Sequence, residues 1–265
     1  MSETTKKIKN NKEKGGLDTP KAIVIAACVL SIGVGLGLAF SGGNGSGSGA
    51  YGNSGGSVAG AYDAPIPTTA EDVIAQFIDL AENEHNINGN DLQACIEDGE
   101  VESFIQSELE FARDVREIRG TPNSVIVSPD GEQAISVPGF VRDSRVLQEI
   151  VNMMVEEGSF IVPEGVESSF PEVDSVEIRA DDFVYGNPDA PVKFIEFSDL
   201  SCGFCAAFHP VVHELVDNNP DKVAWVYRHL PYQNLGFEKA VIAQCVGELS
   251  DNDTFWNYMD DAFQL

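Results

Sequence analysis

Phe194-Ile195-Glu196-Phe197-Ser198-Asp199-Leu200-Ser201-Cys202-Gly203-Phe204-Cys205 is the stretch on which the reading of this chain turns. An apolar run of strand length carries one carboxylate, passes through a short turn and delivers two cysteines in Cys-x-x-Cys spacing. Residues 206–216 then continue with helical periodicity. A Cys-x-x-Cys at the start of a helix that follows a strand is a redox arrangement. A thiol placed first on such a helix meets unpaired N–H groups and the positive end of the dipole, which favour a thiolate. A second thiol one turn further on can resolve a mixed disulfide. The plainer alternatives are a structural disulfide or half of a metal site.

Working outward, the 265-residue chain has 43 acidic against 16 basic residues, a formal charge of −27. A surface so acidic repels nucleic acid and anionic membrane, so neither is expected as a partner of the folded part. Six lysines (Lys6, Lys7, Lys9, Lys12, Lys14 and Lys21) precede an uncharged run over 22–40 that is long enough to cross a bilayer as a helix. Lysines before the run and none soon after it place the N-terminus inside and the remainder outside. A cleaved signal peptide and a lipoprotein signal at Cys28 are the alternatives. An anchored domain outside the cytoplasm is where disulfides persist.

The expected organisation is a Lys-rich cytoplasmic tail over 1–20, a transmembrane anchor over 21–40 and a Gly/Ser-rich linker over 41–64. Order begins near Pro65. Apolar spacing predicts a helix from Thr68 or Thr69, stopped at Asn88-Gly89-Asn90, a short helix over 91–97 carrying Cys95, and a longer one over 101–118. A hairpin follows, with strands around 125–127 and 134–137, then a helix from Asp143 or Ser144 to Gly158. Residues 159–174 read as a linker and 176–179 as an edge strand. Strands over 192–197 and 223–227 flank the Cys-x-x-Cys helix. A helix over 236–249 and a last one capped by Asn252 or Asp253 close the pattern.

Residues 183–265 resemble the first half of a DsbA-like thioredoxin-fold domain, of the BdbD and Com1 kind. The resemblance is carried by Gly186-Asn187-Pro188-Asp189-Ala190-Pro191-Val192, by the opening stretch, and by Phe208-His209-Pro210. It continues through Val226-Tyr227-Arg228-His229-Leu230-Pro231, Ala243-Gln244-Cys245 and Phe255-Trp256. Residues 70–157 resemble the second half of the same domain, with a Cys on a short helix (Cys95) and Gly120-Thr121-Pro122 before a strand. In that family the second half follows the first; here it precedes it. The implied architecture is α/β: a thioredoxin fold with a helical insertion, its halves in circularly permuted order behind an N-terminal transmembrane helix. Residues 65–158 would be the second half, 159–174 the linker and 175–265 the first half. A truncated tandem protein and half-domains pairing between chains are the rivals.

The resemblance implies site roles. Cys202 is the nucleophile and Cys205 the resolving thiol. Glu196, six residues before Cys202, is the proton acceptor near Cys205. Thr121–Pro122 is implied to be a cis bond facing the sulfurs, with Thr121 offering its backbone to an extended substrate beside Gly203 and Phe204. Cys95 and Cys245 are implied to form a structural disulfide. The dipeptide Gly203-Phe204 lacks the His of strongly oxidising members, which leaves the direction of exchange open. His85, His209, His213 and His229 read as structural or surface residues rather than ligands.

The reading is therefore a membrane-anchored, extracytoplasmic thiol–disulfide oxidoreductase that needs no metal or organic cofactor. Its partners are exported proteins with thiols or disulfides and a redox partner that recycles the pair. A peptide-holding chaperone with incidental cysteines is the alternative of a different class. A zinc site from Cys95, Cys202, Cys205 and Cys245 is a third, with poor spacing.

Overall fold

A computed structural model describes residues 69–160 and 170–265. The expected tail, anchor and Gly/Ser linker lie outside the described residues. No helix among the described residues is long and apolar enough to cross a membrane.

Thr69 caps helix α1 (Ala70–Asp79): its hydroxyl accepts from Asp72 N while the Asp72 carboxylate accepts from Thr69 N. One π-helical turn, Leu80–Glu84, extends it. Asn88 does not merely stop this helix. Its side chain accepts from Asn90 N and Asp91 N and so starts α2 (Gly89–Asp98). Gly99, in the left-handed conformation at φ 80°, joins α2 to α3 (Glu100–Glu110). The single helix expected over 101–118 is shorter, because a π-helical turn at Phe111–Val115 closes it. Strands β1 (Asn123–Val127) and β2 (Ala134–Pro138) form the expected hairpin, and Asp143 caps α4 (Ser144–Glu157).

The later segment supplies β3 (Glu172–Val173), β4 (Val184–Gly186), β5 (Val192–Ser198), α5 (Gly203–Asp217), β6 (Val223–His229), α6 (Gly236–Glu248) and α7 (Asn252–Ala262). Three expectations are corrected here. Residues 176–179 are not a strand, since Val176 is buried in the core and Arg179 is drawn into ion pairs with Glu108 and Asp182. The stretch expected as a linker is partly docked: Glu172–Val173 pairs with β2, and Phe160 and Phe170 are buried edge-to-face. The last helix is capped by Asp251, whose carboxylate accepts from Thr254 N. The Asn252 side chain instead bridges both backbone atoms of Val184.

All six strands form one sheet in the order β3-β2-β1-β5-β6-β4. The central pair, β5 and β6, is parallel and joined through α5, and the hairpin that comes 54 residues or more earlier adds antiparallel to β5. Side chains alternate across the sheet. Phe194 and Trp225 enter the core shared with α4 to α7, while Ile195, Phe197 and Val226 enter a smaller core with Ala112 and Ile118. Helix α6 is the hub of the helical layer, touching α1, α2, α3 and α7.

Candidate active site

Cys202 is the N-cap of α5, with extended backbone, and stands at the positive end of that helix. Its sulfur is largely buried and lies 3.5 Å from the carbonyl oxygen of Thr121. The Thr121–Pro122 bond is cis. Pro122 O accepts from Gly139 N at 2.9 Å, which ties the entry of β1 to the exit of β2. The two halves of the chain thus meet at this point, with Cys202, Thr121 and Pro122 together. Gly203 opens the helix beside them. Phe204 is 67 % exposed and faces Phe140 at 6.5 Å between ring centroids.

Cys205 is buried beneath Cys202, and both are free thiols. Burial, then the charge of Glu196, pushes the Cys205 thiol far above an ordinary one. Glu196 is 1 % exposed on β5, and burial raises it to about 7. Ser198 and Trp225 soften that rise, although neither makes a hydrogen bond of good geometry with it. A carboxyl poised near neutrality can hold or release a proton at working pH.

The register makes Glu196 part of a buried polar row. Ser124 on β1 stands opposite Glu196, which stands opposite Tyr227 on β6, and Ser198 stands opposite His229 one pleat further on. Opposed residues share a face, so this row lies on the side of the sheet covered by α5. Ser124 Oγ, Ser198 Oγ, Tyr227 OH and His229 Nε2 are buried without a hydrogen-bond partner among the described residues. Burial drives Tyr227 well up and His229 down to about 3. From sequence, Glu196 alone of this row had a proposed role, and His229 read as a structural or surface residue. Ser124, Tyr227 and His229 needed the sheet register, which no local pattern supplies.

Asp199 was also missed. Its carboxylate accepts from Ser201 N (2.8 Å), Tyr232 N (2.8 Å) and Gln233 N (2.7 Å), fixing the turn before Cys202 to the loop after β6. Gly236 leaves room for it, since a Cβ there would stand 2.5 Å from Asp199 Oδ1. Tyr232 OH in turn donates to Ile118 O at 2.6 Å, beside the Thr121 turn.

Cys95 on α2 and Cys245 on α6 are bonded, with Cα atoms 6.0 Å apart across 150 residues of chain. That pairing excludes a four-thiol zinc site.

The model of the thioredoxin family matches residues 179–265, so the chain contains a thioredoxin-fold domain, and the Cys-x-x-Cys lies within the match. Among curated proteins the chain is similar to Na(+)/H(+) antiporter NhaA 1 of Salinispora arenicola, 32 % identical over 79 residues. That alignment covers 30 % of this chain and 12 % of the antiporter. It is also 27 % identical over 82 residues to Na(+)/H(+) antiporter NhaA 1 of Mycolicibacterium gilvum, covering 31 % and 13 %. The chain thus spans about an eighth of the length of these relatives.

Proposed function

We propose that the protein is a thiol–disulfide oxidoreductase acting through Cys202 and Cys205 on proteins outside the cytoplasm, held there by an N-terminal membrane anchor. The observation that carries this reading is the Cys202 sulfur at the start of α5, 3.5 Å from Thr121 O. The disulfide between Cys95 and Cys245 suits an oxidising compartment. The resemblance to DsbA-like domains and the hairpin paired antiparallel to β5 support a thioredoxin fold whose halves are circularly permuted.

In the oxidising direction, a substrate thiolate attacks Cys202 Sγ. The Cys202–Cys205 bond breaks, a mixed disulfide forms, and Cys205 leaves as a thiolate that takes the Glu196 proton. A second substrate thiolate then attacks the substrate sulfur of the mixed disulfide and expels Cys202. The substrate loses two electrons and the Cys202–Cys205 pair gains them. In the reducing direction the Cys202 thiolate attacks a substrate disulfide. Glu196 then removes the Cys205 proton, and Cys205 attacks Cys202 and releases the substrate. Thr121 offers backbone groups to an extended substrate, and Phe204 with Phe140 offers apolar contact beside it. A separate redox partner returns the pair to its starting state.

Trapping tests the proposal. With Cys205→Ser, a disulfide-containing exported protein should be captured as a stable adduct through Cys202, and Cys202→Ser should abolish both adduct and turnover. No adduct with Cys205→Ser, together with peptide binding retained in full by Cys202→Ser, Cys205→Ser, would refute it and leave a peptide-holding module.

A further inference from the structure

Away from the thiols, α5 and α7 bring three metal-type donors to one point. His209 Nε2 lies 2.7 Å from Asp260 Oδ1, His213 Nε2 lies 2.6 Å from the same oxygen, and the two ring nitrogens are 3.2 Å apart. Two histidines four apart on a helix share a face, and Asp260 comes to them from a second helix. A triangle with those sides allows one ion to stand about 2 Å from all three corners, the ordinary zinc distance to imidazole nitrogen and carboxylate oxygen.

The surroundings hold the donors in place and leave room for exchange. Tyr185 packs edge-on to His213 at 4.3 Å, Phe263 stands 4.6 Å from His209, and Trp225 is 5.0 Å from each imidazole. The side chains of His209 and His213 are 6 % and 16 % exposed and that of Asp260 is 40 % exposed. The donors border an open pocket of about 750 Å³, also lined by the carboxylates of Glu214 and Asp217. That acidic mouth favours a cation, and free coordination positions would face it. The proposed redox chemistry does not use this cluster.

We propose that His209, His213 and Asp260 form a binding site for a single borderline divalent transition-metal ion, of the Zn²⁺ class, bridging the redox helix α5 to α7. Two imidazoles and one carboxylate suit zinc, cobalt or nickel rather than calcium or magnesium. Nδ1 of His209 is buried with no partner among the described residues. The site therefore lacks one of the outer acceptors that typically strengthen metal binding about 10–100-fold, and it should bind more weakly than a fully buttressed zinc centre.

The test uses the full chain carrying Cys28→Ser, Cys202→Ser and Cys205→Ser, so that no free thiol competes. Equilibrium dialysis against Zn²⁺ with metal quantification should give one ion per chain, and Co²⁺ should develop visible d–d absorption. Asp260→Asn and His213→Ala should each weaken binding about tenfold or more. Absence of saturable Zn²⁺ binding would overturn the proposal, as would affinity unchanged in both variants. Should His213→Ala fail to fold by circular dichroism, Asp260→Asn, at a partly exposed position, decides alone.

Discussion

The sulfur of Cys202 and the carbonyl oxygen of Thr121 lie 3.5 Å apart although 81 residues separate them in the chain. The contact exists because β1 adds antiparallel to β5, placing Asn123 opposite Phe197 and the Thr121 turn beside the start of α5. The proposed exchange site has the Cys202 sulfur on one side and the backbone of the Thr121–Pro122 bend, leading into β1, on the other. An incoming Cys-containing segment could lie along that backbone as an added strand.

Glu196→Gln isolates the proton step. Mixed-disulfide formation by Cys202 should be unaffected, while release through Cys205 should slow by about 100-fold at neutral pH. In the wild type the release rate should climb with pH and level off above about 7, where Glu196 is ionised, and the variant should lose that inflection. Stopped-flow release of a fluorescent mixed disulfide measures both; equal rates would remove Glu196 from the mechanism.

The same burial makes opposite contributions to stability at the two ends of the pH range. Glu196 is raised from 4.5 to about 7 on folding, so the folded state holds its proton more tightly. Its contribution is intact below pH 4.5, declines as pH rises, and is fully lost above about 7, a change of about 3 kcal/mol at most. Glu196→Gln should therefore match the wild type at pH 4 and exceed it at pH 8 in urea unfolding. His229 is lowered from 6.5 to about 3, so its contribution is intact above 6.5 and lost as pH falls toward 3. A wild-type-minus-Gln difference independent of pH would contradict the Glu196 assignment.

The disulfide between Cys95 and Cys245 closes a loop of 150 residues and joins the early segment to the late one. Cys95→Ala with Cys245→Ala should cost about 2–5 kcal/mol in chemical unfolding. Exchange through Cys202 should persist wherever the variant remains folded. A variant as stable as the wild type would show that packing around α6 alone holds the halves together.

The order of the halves can be tested by restoring the family order. Helix α7, close to Leu265, lies beside α1 and its π-helical extension: Tyr258 OH donates to Phe77 O at 3.0 Å, and His85 meets Asp261 at 3.1 Å. A short Gly/Ser linker from Leu265 to Thr69, with new ends after Phe160 and before Phe170, should leave the sheet intact. The rejoined chain should fold cooperatively and exchange disulfides at the wild-type rate. Aggregation or loss of exchange would count against the permuted reading.

How much of this was legible in the sequence depended on how local each signal was. Val192 to Ser198 and the Cys-x-x-Cys helix declare themselves through periodicity within a dozen residues. Thr121 and Pro122 came into view only through the family resemblance. Glu172–Val173 is too short to carry a pattern, and its pairing depends on β2 being present. Val176 and Arg179 looked like alternating strand residues, yet one fills a core and the other answers Glu108 and Asp182. The polar row at Ser124, Glu196 and Tyr227 follows from strand register across three segments. The His209, His213 and Asp260 cluster spans two helices; the two histidines read from sequence as structural or surface residues, and nothing local singled out Asp260. In each case the deciding contact lies across the fold, where spacing along the chain is silent.

The central claim is that Cys202 and Cys205 form a reversible redox pair while Cys95 and Cys245 do not. The most direct measurement equilibrates the protein with glutathione over a wide range of reduced-to-oxidised ratios, alkylates, and follows each cysteine by mass. The account predicts one two-electron transition of Cys202 and Cys205 together, with Cys95 and Cys245 protected throughout. It is contradicted if Cys202 and Cys205 remain thiols at every ratio, or titrate independently of one another.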